Sequence, residues 1–233
     1  MVFFKTSAYV VAQQCAQHRS LRSLGRRKAP PVSKALCVKM NVGIYIYDNA
    51  EVLDFSGPFE VFSTASRISG TSSLFNVFLV GETGRTISAR GGFKVNPAYG
   101  FSDHPPIDIL VIVGGVHVEE IKKSHVINWI KEKSEKAKLI ASVCTGAFLL
   151  AEAGVLSNQK VTTHWEDIPD LRKSYPNLKV LEKRRWVEEG NIITSGGISA
   201  GIDMCLYLVS KINGLELAEK TAKQMEFQWT KNT

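Results

Sequence analysis

The sequence has no apolar run near the roughly 20 residues that a membrane-spanning helix needs, so it gives no indication of a membrane protein. Neither metal-ligand spacing nor the pattern of a disulfide framework is found among its four cysteines, Cys15, Cys37, Cys144 and Cys205. A glycine-rich dinucleotide fingerprint is also lacking. We therefore expect no metal, no cofactor and no membrane partner.

Acidic residues are missing from the first 40 positions, which hold eight lysines and arginines. The remaining 193 residues carry 21 basic and 22 acidic side chains, so the net charge of +7 comes from the N-terminal segment. A neutral folded body gives little support for a nucleic-acid partner.

Residues 1–39 are rich in Arg, Ser and Ala and resemble an organellar transit peptide. Met40 directly precedes a strand-like run, so the segment is equally well explained as an upstream extension or an artefact of the expressed sequence. In each case we expect it to be poorly ordered and outside the fold, with the domain covering residues 40–230. We expect a cytoplasmic protein, or one in a mitochondrion or another organelle if the transit peptide is genuine.

The most informative stretch is residues 138–154, KLIASVCTGAFLLAEAG. Its pattern predicts a buried strand over Leu139–Val143, then Cys144, then a helix over Ala147–Ala153 that Gly154 ends. A residue in such a turn projects from the carboxyl edge of a sheet, as in a nucleophile elbow. Because it also lies at a helix N-terminus, we expect Cys144 to be a nucleophile with a lowered pKa; the alternative is a small buried core residue.

The first predicted strand, Val42–Tyr47, is followed by a loop and by a helix with Ser56 as its cap and Pro58 in its first turn. Asp54 is then expected just before the helix, at the carboxyl end of the strand. It is a candidate acid or base, or merely a helix cap.

Strands alternate with helices along the chain, and the central strands are apolar throughout. This pattern predicts one α/β domain: a doubly wound, mostly parallel sheet with helices on both faces. Ligands of such sheets bind beyond the carboxyl ends of the strands. Four marked loops are expected at that edge, and they carry Asp54, Gly114-Gly115, Cys144-Thr145 and Gly196-Gly197.

Five motifs resemble the ThiJ/PfpI superfamily, which is related to the class I glutamine amidotransferases: LDFSGPFEVF, DILVIVGG, ASVCTGAFLLAEAGVL, TTHW and GGISAGIDMCLYLV. The residues of these motifs are most similar to the branch that contains isonitrile hydratase and the sensory halves of AraC-type regulators. The resemblance spans about residues 40–227 and implies a flavodoxin-like fold and a homodimer.

The resemblance also implies residue roles. Cys144 matches the superfamily nucleophile, and Asp54 the acid that contacts it, which is a glutamate in many relatives. Thr145 matches the residue after the nucleophile, and His164 the superfamily histidine, which is alternatively a packed residue beside Trp165. Backbone N–H groups that bind the substrate or stabilise its charge are expected from the glycines of two loops, Gly114, Gly115 and Gly197.

The resemblance implies a cofactor-free hydratase that converts a small-molecule isonitrile and water into an N-substituted formamide. A second possibility is glyoxalase or deglycase chemistry on reactive carbonyls through the same thiolate. A third, from a different class, is a ligand- or redox-sensing domain or a chaperone-like protein. A complete AraC-type regulator is not expected, because no DNA-binding module follows residue 227.

Overall fold

A six-stranded sheet lies at the centre of the protein, whose structure, a computed structural model, describes residues 39–70 and 74–232. The expectation of a poorly ordered extension falls on residues outside the described ones, except for Lys39. The strands in spatial order are β2 (Phe75–Val80), β1 (Met40–Tyr45), β5 (Ile109–Ile112), β6 (Leu139–Val143), β10 (Ile192–Ser195) and β9 (Trp186–Glu189).

The first five of these strands are parallel, and β9 pairs antiparallel with β10 at one edge. The parallel part has the 2-1-3-4-5 order of flavodoxin-like folds. Two short pairs lie outside this sheet: β3 (Ile87–Ser88) with β4 (Lys94–Val95), and β7 (Lys160–Val161) with β8 (Lys179–Val180).

The helices form two groups against the sheet. One contains α1 (Val52–Ile68), α5 (Ala200–Asn213) and α6 (Leu215–Gln224); the other contains α2 (Ser124–Lys136) and α3 (Gly146–Glu152), while α4 (Ile168–Ser174) contacts β8. Within the described ranges, no helix combines the length and the apolar character needed to cross a bilayer. The prediction of a doubly wound, mostly parallel α/β domain is confirmed.

Burial on both faces explains the apolar central strands. All four residues of β5 are fully buried, and β6 is buried from Ile140 to Val143. A strand covered on both faces cannot alternate apolar with polar side chains, since each side chain then meets a helix.

The strand order shows that the chain reverses its winding between β1 and β5. The loops after β1, β5, β6 and β10 therefore meet at one edge of the sheet.

The start of α1 differs from the prediction. The helix begins at Val52, after Glu51, so Asp54 lies inside its first turn rather than before it. Ser56 is not the cap, because its hydroxyl donates a hydrogen bond to the Val52 carbonyl one turn earlier. Pro58 lies in the helix interior rather than in the first turn. Val52 and Leu53 are half-buried and pack against the core, and that packing outweighs the capping signals.

Candidate functional site

Cys144 occupies the tight turn between β6 and α3. Its φ of 55° lies in the left-handed region, which a residue other than glycine adopts at a cost of about 1–3 kcal/mol. Two hydrogen bonds hold this strained turn: the Cys144 N–H donates to the Gly196 carbonyl at 3.2 Å, and the Thr163 hydroxyl donates to the Cys144 carbonyl at 2.8 Å. The side chain is almost fully buried, with 7% exposure. This is the geometry of a nucleophile elbow.

Asp54 faces Cys144 from the first turn of α1 and is fully buried. Its Oδ2 accepts a hydrogen bond from the Gly114 N–H at 3.1 Å, and its Oδ1 accepts one from the Ile198 N–H at 3.0 Å. The two donors belong to the loops after β5 and β10. The carboxyl group therefore joins three segments that are distant in sequence: α1, which carries it, and the loops after β5 and β10.

Burial raises the pKa of Asp54 from 3.8 to about 7, although the hydrogen bonds from Ile198 and Gly114 act in the opposite direction. Burial, followed by the neighbouring Asp54 carboxylate, raises the pKa of the Cys144 thiol. The lowered thiol pKa predicted from the helix N-terminus is therefore wrong for this site. The Thr145 N–H does donate toward the sulfur, but desolvation of the thiolate is the larger effect.

The glycine loop after β5 contacts the elbow directly. A Cβ on Gly114 would lie 2.5 Å from the Thr145 nitrogen, so only glycine permits this approach. The Gly115 N–H donates to the Thr145 hydroxyl oxygen at 2.9 Å, and that hydroxyl donates back to the Gly115 carbonyl at 3.0 Å. The predicted role of these amides as donors to a ligand is thus corrected: the Gly114 N–H is used by Asp54 and the Gly115 N–H by Thr145.

Gly197 separates Cys144 from His164. A Cβ at Gly197 would overlap Cδ2 of the imidazole and lie 3.2 Å from the Cys144 sulfur, so the ring and the sulfur border the same space. On its other side, Nδ1 of His164 lies 3.4 Å from Oδ2 of Asp167 and 3.8 Å from a carboxylate oxygen of Glu166. The imidazole therefore lies between the space beside the sulfur and the carboxylates of Glu166 and Asp167.

The predicted site residues thus form one cluster at the carboxyl edge of the sheet: Asp54, Gly114, Gly115, Cys144, Thr145, His164 and Gly197. Among the described residues, no group of three or more His, Cys, Asp or Glu side chains is arranged to hold a metal ion. The sequence profile of the DJ-1/PfpI family matches residues 40–211. The chain belongs to the DJ-1/PfpI family.

Two relatives illustrate the range of this family. The isonitrile hydratase of Pseudomonas putida is 29% identical over 189 residues, which are 81% of this chain and 78% of that protein. The transcriptional regulator GbdR of Pseudomonas aeruginosa is 24% identical over 192 residues, 82% of this chain and 52% of the regulator, so the chain spans about half of the regulator's length.

A solved structure of a ThiJ/PfpI family protein from Pseudomonas syringae superposes with a TM-score of 0.74. The superposition covers 90% of this chain and 84% of the Pseudomonas syringae chain, at 21% sequence identity. A likeness at this identity concerns the fold alone.

Three residues of this DJ-1/PfpI site were not recognised in the sequence. Ile198 has a φ of 55°, which is rare for a β-branched residue, and it presents its N–H to Asp54. Thr163 holds the elbow, and Asp167 faces His164. The TTHW motif includes Thr163, and Asp167 follows His164 by one helical turn, so these two had a local signal. Ile198 lies in the GGISAGIDMCLYLV motif, but its contact with Asp54 spans 144 positions and had no local signal.

Asp203 and Cys205 have structural environments outside the site. Asp203 is fully buried and pairs with Arg185, and it also accepts a hydrogen bond from the Thr230 N–H at 2.7 Å. Cys205 is fully buried in the core.

Proposed function

We propose that this protein is a cysteine-dependent hydratase that adds water to an isonitrile and releases an N-substituted formamide. The observation that carries the proposal is the pair formed by Cys144 and Asp54: a thiol on a strained elbow faces a buried carboxyl group whose pKa is about 7. The similarity to the isonitrile hydratase of Pseudomonas putida supports the choice of substrate.

The raised pKa of Asp54 suits a group that both accepts and donates a proton near neutral pH. General acid–base catalysis is most efficient when the catalytic pKa lies close to the operating pH. A carboxyl group with its ordinary pKa of 3.8 would be a poor acceptor for the proton of a buried thiol. Burial of Asp54 thus creates the base that the buried Cys144 needs.

In the first step, the Cys144 sulfur forms a bond to the terminal carbon of the isonitrile. Asp54 accepts the thiol proton and passes it to the same carbon, so the carbon gains one S–C bond and one C–H bond. The product of this step is a thioimidate, with an N=CH–S linkage to the enzyme. The carboxylate is then free for the second step.

In the second step, Asp54 accepts a proton from a water molecule that attacks the thioimidate carbon. That proton is delivered to the nitrogen, and the resulting tetrahedral intermediate breaks its C–S bond. The hydroxyl proton moves through Asp54 to the leaving sulfur. The formamide is released, and both the thiol and the carboxylate are restored.

The remaining residues of the cluster position these two groups. The Thr145 N–H donates toward the sulfur and stabilises negative charge that develops on it during attack and departure. The Gly114 and Ile198 N–H groups hold the carboxyl group in place. His164 borders the same space as the sulfur, across Gly197, and limits where a substrate can lie.

The decisive experiment measures formamide production from cyclohexyl isonitrile by proton NMR. We expect turnover by the wild-type protein, none above background by Cys144→Ala, and a loss of about 10²- to 10⁴-fold in Asp54→Asn, the usual contribution of general acid–base help. Glu60→Gln, a change on the exposed face of the same helix, is the control and should retain wild-type turnover. Near wild-type turnover by Asp54→Asn would exclude the proton-transfer role.

The same variants separate two other functions. Turnover of methylglyoxal but not of the isonitrile would indicate the glyoxalase or deglycase chemistry. The similarity to GbdR favours a ligand-sensing domain as the second candidate. In that case the protein would bind small molecules, detectable by calorimetry, without turning over either substrate.

A further inference from the structure

Three exposed apolar side chains stand next to the residues of the site. Val116 follows Gly115, Trp165 follows His164, and Ile198 follows Gly197. Their exposed fractions are 48%, 73% and 40%, whereas aliphatic and aromatic residues in a folded protein are mostly buried. We call Val116, Trp165 and Ile198 the apolar rim.

The contacts of the site place each member of the rim in a segment that borders the thiol–carboxyl pair. The N–H of Ile198 itself is bound to Asp54. Gly115, which precedes Val116, donates to the Thr145 hydroxyl. His164, which precedes Trp165, borders the space beside the Cys144 sulfur. Ile198 thus contacts Asp54 through its own N–H, while Val116 and Trp165 each follow a residue that lies beside the elbow.

The loops that carry Val116 and Trp165 also approach each other. The charge of Asp167 acts on His117, so the segment after Gly115 lies near the segment after His164. Two acids, Glu166 and Asp167, place negative charge beside His164 in the same segment. This negative charge disfavours an anionic substrate, and for a neutral substrate apolar contact is the main attraction.

Single exposed apolar residues are ordinary, but a group of them at the mouth of a site marks a binding surface. An isonitrile carries its reactive carbon at one end and its N-substituent at the other. When the carbon reaches the Cys144 sulfur, the substituent must extend outward, toward the rim. The rim is therefore placed to contact the part of the substrate that does not react.

We propose that the apolar rim determines substrate specificity: it binds the N-substituent of a neutral substrate and selects bulky apolar groups over small or anionic ones. This inference rests on the proposed hydratase function. Because the rim acts on the substituent, its contribution should appear in kcat/KM and should grow with the apolar area of the substrate.

The first test compares cyclohexyl isonitrile with methyl isonitrile, using kcat/KM of the full chain. We expect Trp165→Ala to reduce kcat/KM about 10-fold for the cyclohexyl substrate, the loss expected when some 50–60 Å² of apolar contact is removed. For methyl isonitrile the change should stay within about twofold. Trp165→Phe should recover most of the loss, and Leu215→Ala, which removes an apolar side chain of 49% exposure at the start of α6, should change neither value.

The second test does not depend on hydratase activity. The rate at which Cys144 is alkylated by N-cyclohexylmaleimide is divided by the rate with N-methylmaleimide, and the labelled peptide is measured by mass spectrometry. The ratio should exceed one in the wild-type protein and should fall several-fold in Trp165→Ala and, to a smaller extent, in Val116→Ser. Leu215→Ala should leave it unchanged.

The two tests distinguish the possible failures. If no isonitrile is turned over but the alkylation ratio falls in the rim variants, the hydratase proposal is wrong, and the rim selects the substituent of another substrate of Cys144. If the ratio is equal in wild type and variants, the specificity proposal is overturned. It is also overturned if Trp165→Ala halves the mass measured by light scattering, because the rim is then an interface between two copies of this chain.

Discussion

The raised pKa of Asp54 makes the stability of the folded protein depend on pH. In the folded state the carboxyl group keeps its proton up to about pH 7, whereas in the unfolded chain it loses the proton near pH 3.8. Folding is then favoured by this group most strongly below pH 3.8. The contribution decreases as the pH rises and is lost once the pH exceeds the folded-state pKa.

The size of this effect follows from the two pKa values. One pKa unit corresponds to about 1.4 kcal/mol of differential stability. Between pH 5 and pH 7 the unfolded state is ionised while the folded state is mostly protonated, and above pH 7 both are ionised. We therefore expect Asp54 to reduce the free energy of unfolding by about 2.5 kcal/mol between pH 5 and pH 8.

Asp54→Asn removes this dependence. The amide keeps one acceptor oxygen for the N–H groups of Gly114 and Ile198 but loses the second, a cost of about 1–3 kcal/mol. The variant should accordingly be less stable than wild type at pH 5. Because only the wild-type protein loses stability through this group, the difference should shrink or reverse by pH 8.

Urea unfolding followed by tryptophan fluorescence at pH 5, 6, 7 and 8, at constant ionic strength, measures the difference. Contributions that are common to both proteins cancel in this difference. Glu60→Gln, on an exposed position of the same helix, should follow the wild-type curve at every pH. A wild-type-minus-variant difference that stays constant from pH 5 to pH 8 would refute the raised pKa of Asp54 and with it the role of this group as a base near neutral pH.

Three further predictions concern the surroundings of the pair and the assembly. Gly197→Ala should lower the free energy of unfolding by about 1–3 kcal/mol, because the new Cβ overlaps the His164 ring; Gly196→Ala, whose Cβ would make an ordinary contact at 3.4 Å, is the control in denaturant unfolding. Iodoacetamide should label Cys144 faster than Cys205 in the folded protein, since the latter is completely buried; equal rates by mass spectrometry would contradict this. Light scattering should give about twice the monomer mass of 25.7 kDa, and a monomer at micromolar concentration would contradict the proposed homodimer.

The position of the elbow could be predicted because its determinants are local. A short β-branched strand, one cysteine, and an Ala/Leu-rich helix that ends at a glycine with φ of 70° are all contained in residues 138–154. The meeting of four loops at one edge followed from the alternation of strands and helices, since parallel strands must share their carboxyl edge. Both inferences needed only periodicity and chain direction.

The start of α1 and the partners of Asp54 could not be predicted in this way. Ser56 and Pro58 are sound local signals for a helix start, but the helix begins earlier because its first residues pack on the core. The Asp54 carboxyl group is bound by N–H groups that lie 60 and 144 positions away. The strained backbone of Ile198 is stable only because the folded chain holds it there.

The direction of the thiol pKa shift was wrong because two opposing effects had to be compared in magnitude. A helix N-terminus stabilises a negative charge by roughly 0.3–1 kcal/mol, and at most by about 2 kcal/mol. Burial can shift a pKa by several units, each worth about 1.4 kcal/mol. Cys144 is 7% exposed, and α3 has only seven residues. Desolvation therefore exceeds the stabilisation by the helix.

A thiol with a raised pKa reacts at neutral pH only if a neighbouring group takes its proton as the bond forms. Asp54 can do so only when it is ionised, and its pKa is about 7. We therefore expect the alkylation rate of Cys144 to increase with pH around a midpoint near 7, well below the pKa of the thiol itself. In Asp54→Asn that midpoint should vanish, and the rate should increase only at higher, alkaline pH. Alkylation from pH 5 to pH 9, quenched at set times and measured by mass spectrometry, tests this. A midpoint near 7 that remains in Asp54→Asn would show that Asp54 is not the base.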